Sequence, residues 1–145
     1  MKTIKEIYRI GHGPSSSHTM APRFASEQFL ARHPEAARFE VTLYGSLALT
    51  GKGHLTDVAI MEVFGDKALV TINWQPDIFL PYHPNGMTFK AFNSEDVMTE
   101  EWTVYSVGGG ALEEEGKPAV LPDIYPITMM TYILTWCEDP GTAYW

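Results

Sequence analysis

Residues 38–64 read RFEVTLYGSLALTGKGHLTDVAIMEVF, and the pattern of the residues changes twice within this stretch. Apolar and polar residues alternate at its start, which predicts a strand with one buried face within Arg38–Leu49. A glycine-rich turn, Thr50–His54, follows. The apolar residues beyond it recur at helical spacing and predict a helix from about Thr56 to Phe64. The stretch therefore predicts a strand, a polar loop and a helix in succession.

The same periodicities extend in both directions along the chain. They predict helices at Met1–Ile10, at His18–Arg32 with its regular part starting at Pro22, and at Tyr125–Cys137, and strands at Val70–Trp74, Gly86–Phe92 and Glu101–Val107. Asn93–Asp96 predicts a hairpin turn, and Gln75–Asn85 predicts an ordered loop. This order predicts an α+β, two-layer domain with helices packed on one face of a mixed, mostly antiparallel sheet.

The composition is that of an ordinary globular protein. The chain has 145 residues, 45% of them hydrophobic and 19% charged, so a single domain spanning residues 1–145 is expected. The net charge of −8 argues against nucleic acid and anionic membrane surfaces as partners. No apolar run is long enough to span a bilayer, and the N-terminus does not resemble a signal peptide, so a cytoplasmic location is expected. The only cysteine, Cys137, excludes an internal disulfide and is interpreted as a packing residue.

Residues 11–19 read GHGPSSSHT and form a polar segment directly before a predicted helix. Glycine and proline disfavour regular structure there, while the serines present hydroxyl and backbone N–H groups. A polar loop at a helix N-terminus can hold an anion such as a carboxylate. Simple helix capping is the alternative, since serine and threonine are favoured N-caps. Three serines flanked by two histidines favour a binding or catalytic loop.

Three further polar loops contain candidate residues. In the loop TGKGHLTD at 50–57, Lys52 offers a cation. His54 belongs to the residue type that ordinarily titrates near neutral pH, as a general acid or base must. The alternative is that His54 is an ordinary surface histidine. Thr56 or Asp57 can cap the following helix. Residues 83–87 contain an Asn-Gly pair, for which a simple hairpin turn is the alternative. Residues 106–110 contain three glycines, for which a flexible strand end is the alternative. None of these loops completes a zinc pattern, a dinucleotide-binding fingerprint or a Gly-x-Ser-x-Gly elbow.

Several motifs, taken together, resemble those of one family. They are GPSSSHT at 13–19, YGSLALTGKGH at 44–54, TD at 56–57, NGM at 85–87 and YSVGGG at 105–110. In this order they resemble the β chain, or β domain, of bacterial iron–sulfur L-serine dehydratase, from about Ile7 to about Tyr125. The chain departs from the family pattern at His12, where an apolar residue is common, and at Ala21, where a glycine is common.

The resemblance implies the deamination of L-serine to pyruvate and ammonia, with L-serine and the α chain or α domain of the same enzyme as partners. It implies a [4Fe-4S] cluster ligated by cysteines of the α portion and not by this chain, so this chain alone is expected to be inactive. It implies a fold that resembles the allosteric substrate-binding domain of some phosphoglycerate dehydrogenases, and assembly into a homodimer or a heterotetramer. Two alternatives agree with the residues after Cys137. The chain is either a natural β subunit, or a β domain truncated before a linker and an α catalytic domain.

The motifs of the family also imply the site residues. His54 matches a histidine proposed to act in proton transfer, and Ser16 and His18 are the other expected catalytic residues. The expected substrate-binding residues are Ser15, Ser17, Thr19, Lys52, Asn85, Gly108 and Gly109. No metal ligand is expected in this chain. A non-catalytic amino-acid-binding regulatory domain and an unrelated serine–histidine hydrolase are the competing hypotheses.

Overall fold

The computed structural model describes residues 10–11, 13–117 and 129–138. The chain divides into two compact units, whose described parts are residues 10–117 and residues 129–138. The larger unit contains, in order, a π-helical turn (Ser16–Met20), helix α1 (Ala21–Arg32), strand β1 (Arg38–Tyr44), helix α2 (Gly45–Thr50), a 3-10 turn (Gly51–His54), helix α3 (Thr56–Phe64) and strands β2 (Leu69–Gln75), β3 (Gly86–Phe92), β4 (Met98–Gly108) and β5 (Ala111–Glu113). The predicted helix at Met1–Ile10 lies outside the described residues, except for its last position.

The sheet of the larger unit is mixed and mostly antiparallel, as the sequence predicts. Its strand order is β2-β1-β3-β4-β5. Among the described strands, only β1 and β2 run parallel, while β1–β3, β3–β4 and β4–β5 are antiparallel pairs. A parallel pair needs a crossover connection, and α2, the 3-10 turn and α3 supply it. The turn that carries His54 therefore lies inside this crossover, whereas the turn that carries His18 precedes α1 and contacts the 3-10 turn and β4.

The two faces of the sheet differ in polarity, which explains the two-layer architecture. In β1, Phe39, Val41 and Leu43 are fully buried and alternate with partly exposed residues. Helices α1 and α3 pack together on this apolar side. The opposite side carries polar pairs, such as the ion pair of Lys90 with Glu101 at 3.0 Å. The predicted packing of the helices on one face of the sheet is confirmed.

Aromatic rings join the helices to the sheet in the core. Phe29 of α1 stacks on Trp102 of β4 with a centroid distance of 6.0 Å and an interplanar angle of 7°. Phe64 of α3 packs on Phe39 of β1 at 4.8 Å. A fully buried phenylalanine side chain contributes about 2–3 kcal/mol relative to an exposed one. These contacts fix both helices relative to the strands from which the site loops emerge.

The strand predicted within Arg38–Leu49 ends at Tyr44, because Gly45 turns the chain into α2. Gly45 has a positive φ of +45°, and a Cβ at this position would lie 2.8 Å from the ring of Phe79 and 2.8 Å from the carbonyl oxygen of Pro84. Only glycine fits this conformation and this close approach. The apolar residues that follow suit a strand or a helix equally well, so periodicity does not locate this boundary.

Strand β4 begins earlier than the predicted start at Glu101. Residues 98–100 are exposed, so they lack the burial that the sequence pattern detects. They nevertheless pair with β3, with Met98 opposite Phe92 and Glu100 opposite Ala91. The turn predicted at Asn93–Asp96 closes this hairpin. Pairing rather than burial extends the strand.

The smaller unit contributes helix α4 (Met130–Glu138). The predicted helix at Tyr125–Cys137 is thus confirmed over its second half, while residues 125–128 lie outside the described part. Cys137 is 8% exposed, which agrees with its interpretation as a packing residue. None of the described helices is both long enough and apolar enough to cross a lipid bilayer.

Candidate active site

The two candidate histidines lie next to each other. His18 belongs to the π-helical turn before α1, and His54 ends the 3-10 turn before α3. The centroids of their rings are 4.9 Å apart, with an interplanar angle of 35°. Both side chains are partly exposed. The fold therefore joins two of the three expected catalytic residues.

The serine loop is organised around the side chain of His18. Ser15 is the N-cap of the π-helical turn, and its Oγ accepts a hydrogen bond from the backbone N–H of His18 at 3.3 Å. The capping interpretation therefore holds for Ser15. Ser17 Oγ lies 2.9 Å from Nδ1 of His18 and 3.3 Å from Ser15 Oγ. The hydroxyls of Ser15 and Ser17 thus form a small polar network with the His18 ring.

The tautomer of the neutral His54 ring follows from its hydrogen bond. Its Nδ1 lies 3.0 Å from the carbonyl oxygen of Thr50. A carbonyl can only accept, so Nδ1 carries the hydrogen and donates it. In the neutral ring, Nε2 is then the unprotonated nitrogen. This tautomer is the one that a general base requires, with its lone pair on the nitrogen that is not held by the backbone.

Burial lowers the pKa of His18 below the ordinary histidine value, and the neighbouring His54 lowers this pKa further. A hydrogen-bonding interaction with the backbone of Ser46 raises this pKa, but by less than burial lowers it. Nε2 of His18 is itself buried, and no described side chain makes a hydrogen bond to it. A base with a lowered pKa is neutral near pH 7, so His18 enters the site uncharged.

Three hydroxyl groups hold the backbone of the two histidine loops, which are residues 13–19, with His18, and residues 50–57, with His54. Thr19 Oγ1 donates to the carbonyl oxygen of His54 at 2.9 Å, and Thr56 Oγ1 donates to the carbonyl oxygen of His18. Ser106 Oγ, from β4, donates to the carbonyl oxygen of Ser17 at 2.8 Å. All three hydroxyl-bearing residues are buried. The loops are therefore fastened to each other and to the sheet.

Thr56 and Ser106 were not predicted as site residues. The sequence offers Thr56 or Asp57 as the cap of α3, but Leu55 takes the N-cap position, with a positive φ of 58° and no side-chain capping bond. Ser106 lies on the buried face of β4 beside Trp102 and Val104. A hydroxyl at an otherwise apolar, buried strand position is the signal that points to such a residue, because a buried hydroxyl needs a partner.

Asn85 reaches the site through Ser106. Its carbonyl oxygen accepts from the N–H of Ser106 at 3.0 Å, and its Nδ2 donates to the Ser106 carbonyl oxygen at 3.4 Å. The hydroxyl group of Ser106 in turn donates a hydrogen bond to the carbonyl oxygen of Ser17. The hairpin alternative for residues 83–87 is wrong, because Asn85 ends a long connection from β2 and Gly86 begins β3.

The remaining predicted residues lie at the edge of this arrangement. Ser16 is exposed, and its carbonyl oxygen accepts from the N–H of Ala21. Lys52 is exposed, with its ammonium group 5.4 Å from the centroid of the Trp74 ring. Gly108 and Gly109 have positive φ values of 108° and 57° and form the tight turn from β4 to β5. Their conformation requires glycine, whereas a Cβ at either position would meet no described atom within 4 Å.

The residues of this chain do not fit an iron–sulfur cluster. Such a cluster needs several thiolates, and the sequence has one cysteine. In the part of the chain that the structure describes, no three histidine, cysteine, aspartate or glutamate side chains are grouped as metal ligands. The chemistry available here is that of imidazoles, hydroxyls and a lysine.

Comparisons with known proteins agree with this residue set. The sequence profile described as serine dehydratase beta chain matches residues 3–73 and 63–117. L-serine dehydratase 1 of Escherichia coli (strain K12) is 32% identical over 186 residues, which cover 97% of this chain and 41% of that protein. The L-serine dehydratase of Helicobacter pylori (strain ATCC 700392 / 26695) is 35% identical over 168 residues, covering 83% of this chain and 37% of that protein.

A third relative gives a similar result. The L-serine dehydratase of Mycobacterium tuberculosis (strain CDC 1551 / Oshkosh) is 32% identical over 152 residues, covering 78% of this chain and 33% of that protein. The chain thus spans about two fifths of these relatives, or less. The profile match extends over most of the chain and includes both histidine loops. The chain belongs to the serine dehydratase beta chain family.

Proposed function

We propose that this chain is the β portion of an L-serine dehydratase, which deaminates L-serine to pyruvate and ammonia in a site shared with an α portion. The observation that carries this proposal is the pair of His18 and His54. Two imidazoles 4.9 Å apart, one of them with a fixed basic nitrogen, provide the proton-transfer groups that the reaction needs. Membership of the serine dehydratase family supports the choice of substrate.

The reaction requires the removal of the α-proton and the loss of the β-hydroxyl group. In the proposed step, Nε2 of His54 accepts the α-proton. The electron pair of the C–H bond forms the C=C bond, and the hydroxyl group leaves as water after it takes the proton from His54, which returns to its neutral form. The resulting enamine tautomerises and hydrolyses to pyruvate and ammonia. Because His18 is uncharged, it does not repel the positive charge that His54 gains with the α-proton.

The serine loop is proposed to bind the substrate. Ser15 and Ser17 present hydroxyls beside His18, and Ser16 is exposed at the surface of the same turn. Hydroxyl and N–H groups at a helix start suit the carboxylate of an amino acid. Lys52, two positions before His54, is proposed to add a positive charge for this carboxylate.

Thr19, Asn85, Gly108 and Gly109 are proposed to shape the rim of the site. The hydroxyl group of Thr19 and the Nδ2 group of Asn85 make hydrogen bonds within the chain, so these two groups contribute to substrate binding through the backbone that they hold. Gly108 and Gly109 place a turn without side chains after β4. A turn of this kind leaves room for a neighbouring chain or a ligand.

The α portion is proposed to supply what this chain lacks. The chain spans 41% of the length of one L-serine dehydratase, and its residues do not fit a [4Fe-4S] cluster. We therefore place the cluster, held by cysteines, in the α portion, and expect the chain alone to be inactive. Assembly as a homodimer or a heterotetramer, and the likeness of the fold to the allosteric domain of phosphoglycerate dehydrogenase, stay predictions.

The test is pyruvate formation from L-serine under anaerobic conditions with reconstituted iron and sulfide. The chain alone, the α portion alone and the two combined are compared, and the combination with His54→Asn is the matched control. Activity only in the unmodified combination supports the shared site. Activity in none of the samples, with serine still binding to the chain in calorimetry, would replace the proposal with a non-catalytic amino-acid-binding domain.

A further inference from the structure

The two histidine loops are joined by a reciprocal pair of hydrogen bonds, here named the threonine brace and formed by Thr19 and Thr56. Thr19 directly follows His18, and its hydroxyl donates to the carbonyl oxygen of His54. Thr56 lies two residues after His54, and its hydroxyl donates to the carbonyl oxygen of His18. Each loop therefore holds the backbone of the histidine that belongs to the other loop.

Both hydroxyls of the threonine brace are shielded from water. Thr19 is 4% exposed and Thr56 is fully buried. Water competes poorly for groups at such positions, and a carbonyl that loses its donor there stays unpaired. Loss of either hydroxyl is therefore expected to move the backbone rather than to admit a substitute donor.

The elements that carry the histidines do not set the distance between the two rings by themselves. His18 belongs to a five-residue π-helical turn and His54 to a four-residue 3-10 turn. The hydrogen bond of His54 Nδ1 goes to Thr50, one turn earlier on the same segment. Within the described residues, the threonine brace is the pair of side-chain bonds that spans the gap between the two loops.

We infer that Thr19 and Thr56 are positioning residues that fix the two imidazoles 4.9 Å apart for proton transfer. The inference rests on the proposed function, because it assigns a purpose to the spacing of His18 and His54. Displacement of a catalytic group by about 1 Å can cost about a hundredfold in rate, so the brace has a measurable effect on turnover. Ser106 adds a third bond, from β4 to Ser17, but it does not join the two loops.

The first test measures turnover of the combined enzyme with Thr56→Val and Thr56→Ser. Valine keeps the shape of threonine without the hydroxyl, and serine keeps the hydroxyl. We expect Thr56→Val to lower kcat by about tenfold to a hundredfold with KM changed less than about threefold, and Thr56→Ser to recover most of the loss. Thr19→Val and Thr19→Ser are expected to behave in the same way.

The matched control is Thr88→Val. Thr88 is 5% exposed, and its hydroxyl bonds to that of Thr103 at 2.8 Å on the sheet, outside the histidine loops. We expect this variant to lose stability without a loss of kcat. A fall in kcat as large as that of Thr56→Val would overturn the inference, since any buried threonine would then matter equally.

The second test needs no activity, which separates this inference from the proposed function. Imidazole resonances of His18 and His54 are followed by NMR through a pH titration of the 145-residue chain. We expect Thr56→Val to change the titration of His18, and Thr56→Ser to leave it as in the unmodified chain. An unchanged titration in Thr56→Val would overturn the inference. If the unmodified combination makes no pyruvate while the valine variant still shifts the titration, the brace stands and the proposed function fails.

Discussion

His54 donates its Nδ1 hydrogen to the carbonyl oxygen of Thr50 across 3.0 Å, and this bond decides which nitrogen of the ring is basic. It holds the ring with Nε2 unprotonated when the side chain is neutral. A general base contributes about two to four orders of magnitude to turnover. We therefore expect His54→Ala, combined with the α portion, to lower kcat for L-serine by that amount.

A second histidine serves as the control for this experiment. His33 caps the C-terminal end of α1, about 18 Å along the helix from its start near the serine loop. His33→Gln is expected to leave kcat within about twofold, with circular dichroism showing an intact fold for both variants. Near-normal turnover in His54→Ala would exclude the role as a base, and a rise in KM alone would make His54 a substrate-positioning residue.

The lowered pKa of His18 predicts a pH dependence of stability. A histidine whose pKa is lower in the folded state than in the unfolded state binds fewer protons when folded. Stability therefore falls as the pH drops below about 6.5, the ordinary histidine value, and levels off below the folded pKa. One proton gives a slope of at most about 1.4 kcal/mol per pH unit, and the partial exposure of the ring keeps the effect well below this limit.

The measurement is urea unfolding of the chain between about pH 5 and pH 8, with and without His18→Asn. The difference in free energy of unfolding between the two chains isolates the contribution of His18 from those of the other titrating groups. We expect this difference to favour the unmodified chain increasingly as the pH rises to about 6.5 and then to stay constant. A difference that does not vary with pH would contradict the lowered pKa.

The fold was predictable where one physical cause acts alone. Phe39, Val41 and Leu43 alternate because one face of β1 is buried, and period two reveals this directly. The boundary at Gly45 was not predictable from periodicity, because it depends on contacts with Phe79 and Pro84, which lie far along the chain. The periodicity of adjacent residues does not depend on contacts between distant residues, so it cannot predict a boundary that such contacts cause.

The candidate site was predictable in its members but not in its connections. The motifs that resemble the serine dehydratase β chain supply His18 and His54, and the structure adds that their rings are in contact. The hydrogen bonds of Thr56 and Ser106 could not be anticipated, because each hydroxyl finds its partner on another element. Residue types indicate which groups need partners, whereas the fold decides which partners they receive.

Gly45 connects the end of β1 to the start of α2, and the structure leaves no room for a side chain there. Gly45→Ala places a Cβ 2.8 Å from the Phe79 ring and the Pro84 carbonyl oxygen, in a conformation with positive φ. The strain and the overlap together are expected to lower the free energy of unfolding by about 2–4 kcal/mol. Urea unfolding of the chain measures this change.

Gly53→Ala is the matched control for Gly45→Ala. A Cβ at Gly53 would meet no described atom within 4 Å, and this glycine has no positive φ. Replacement of a glycine by alanine at a compatible position is neutral or stabilises by about 0.4–1 kcal/mol. Equal losses in the two variants would show that close packing at Gly45 does not cause the effect.

Lys52 is the exposed cation of the histidine loop, and its ammonium group rests 5.4 Å from the centroid of the Trp74 ring. In the proposed function it attracts the carboxylate of L-serine. Lys52→Met keeps an unbranched apolar side chain for contact with Trp74 and removes the charge. We expect KM for L-serine to rise about tenfold, which corresponds to about 1.4 kcal/mol of binding free energy, with kcat nearly unchanged. Lys67→Met removes an exposed lysine beyond the far end of α3 and is expected to leave KM unchanged; equal KM values in the two variants would remove Lys52 from the substrate site.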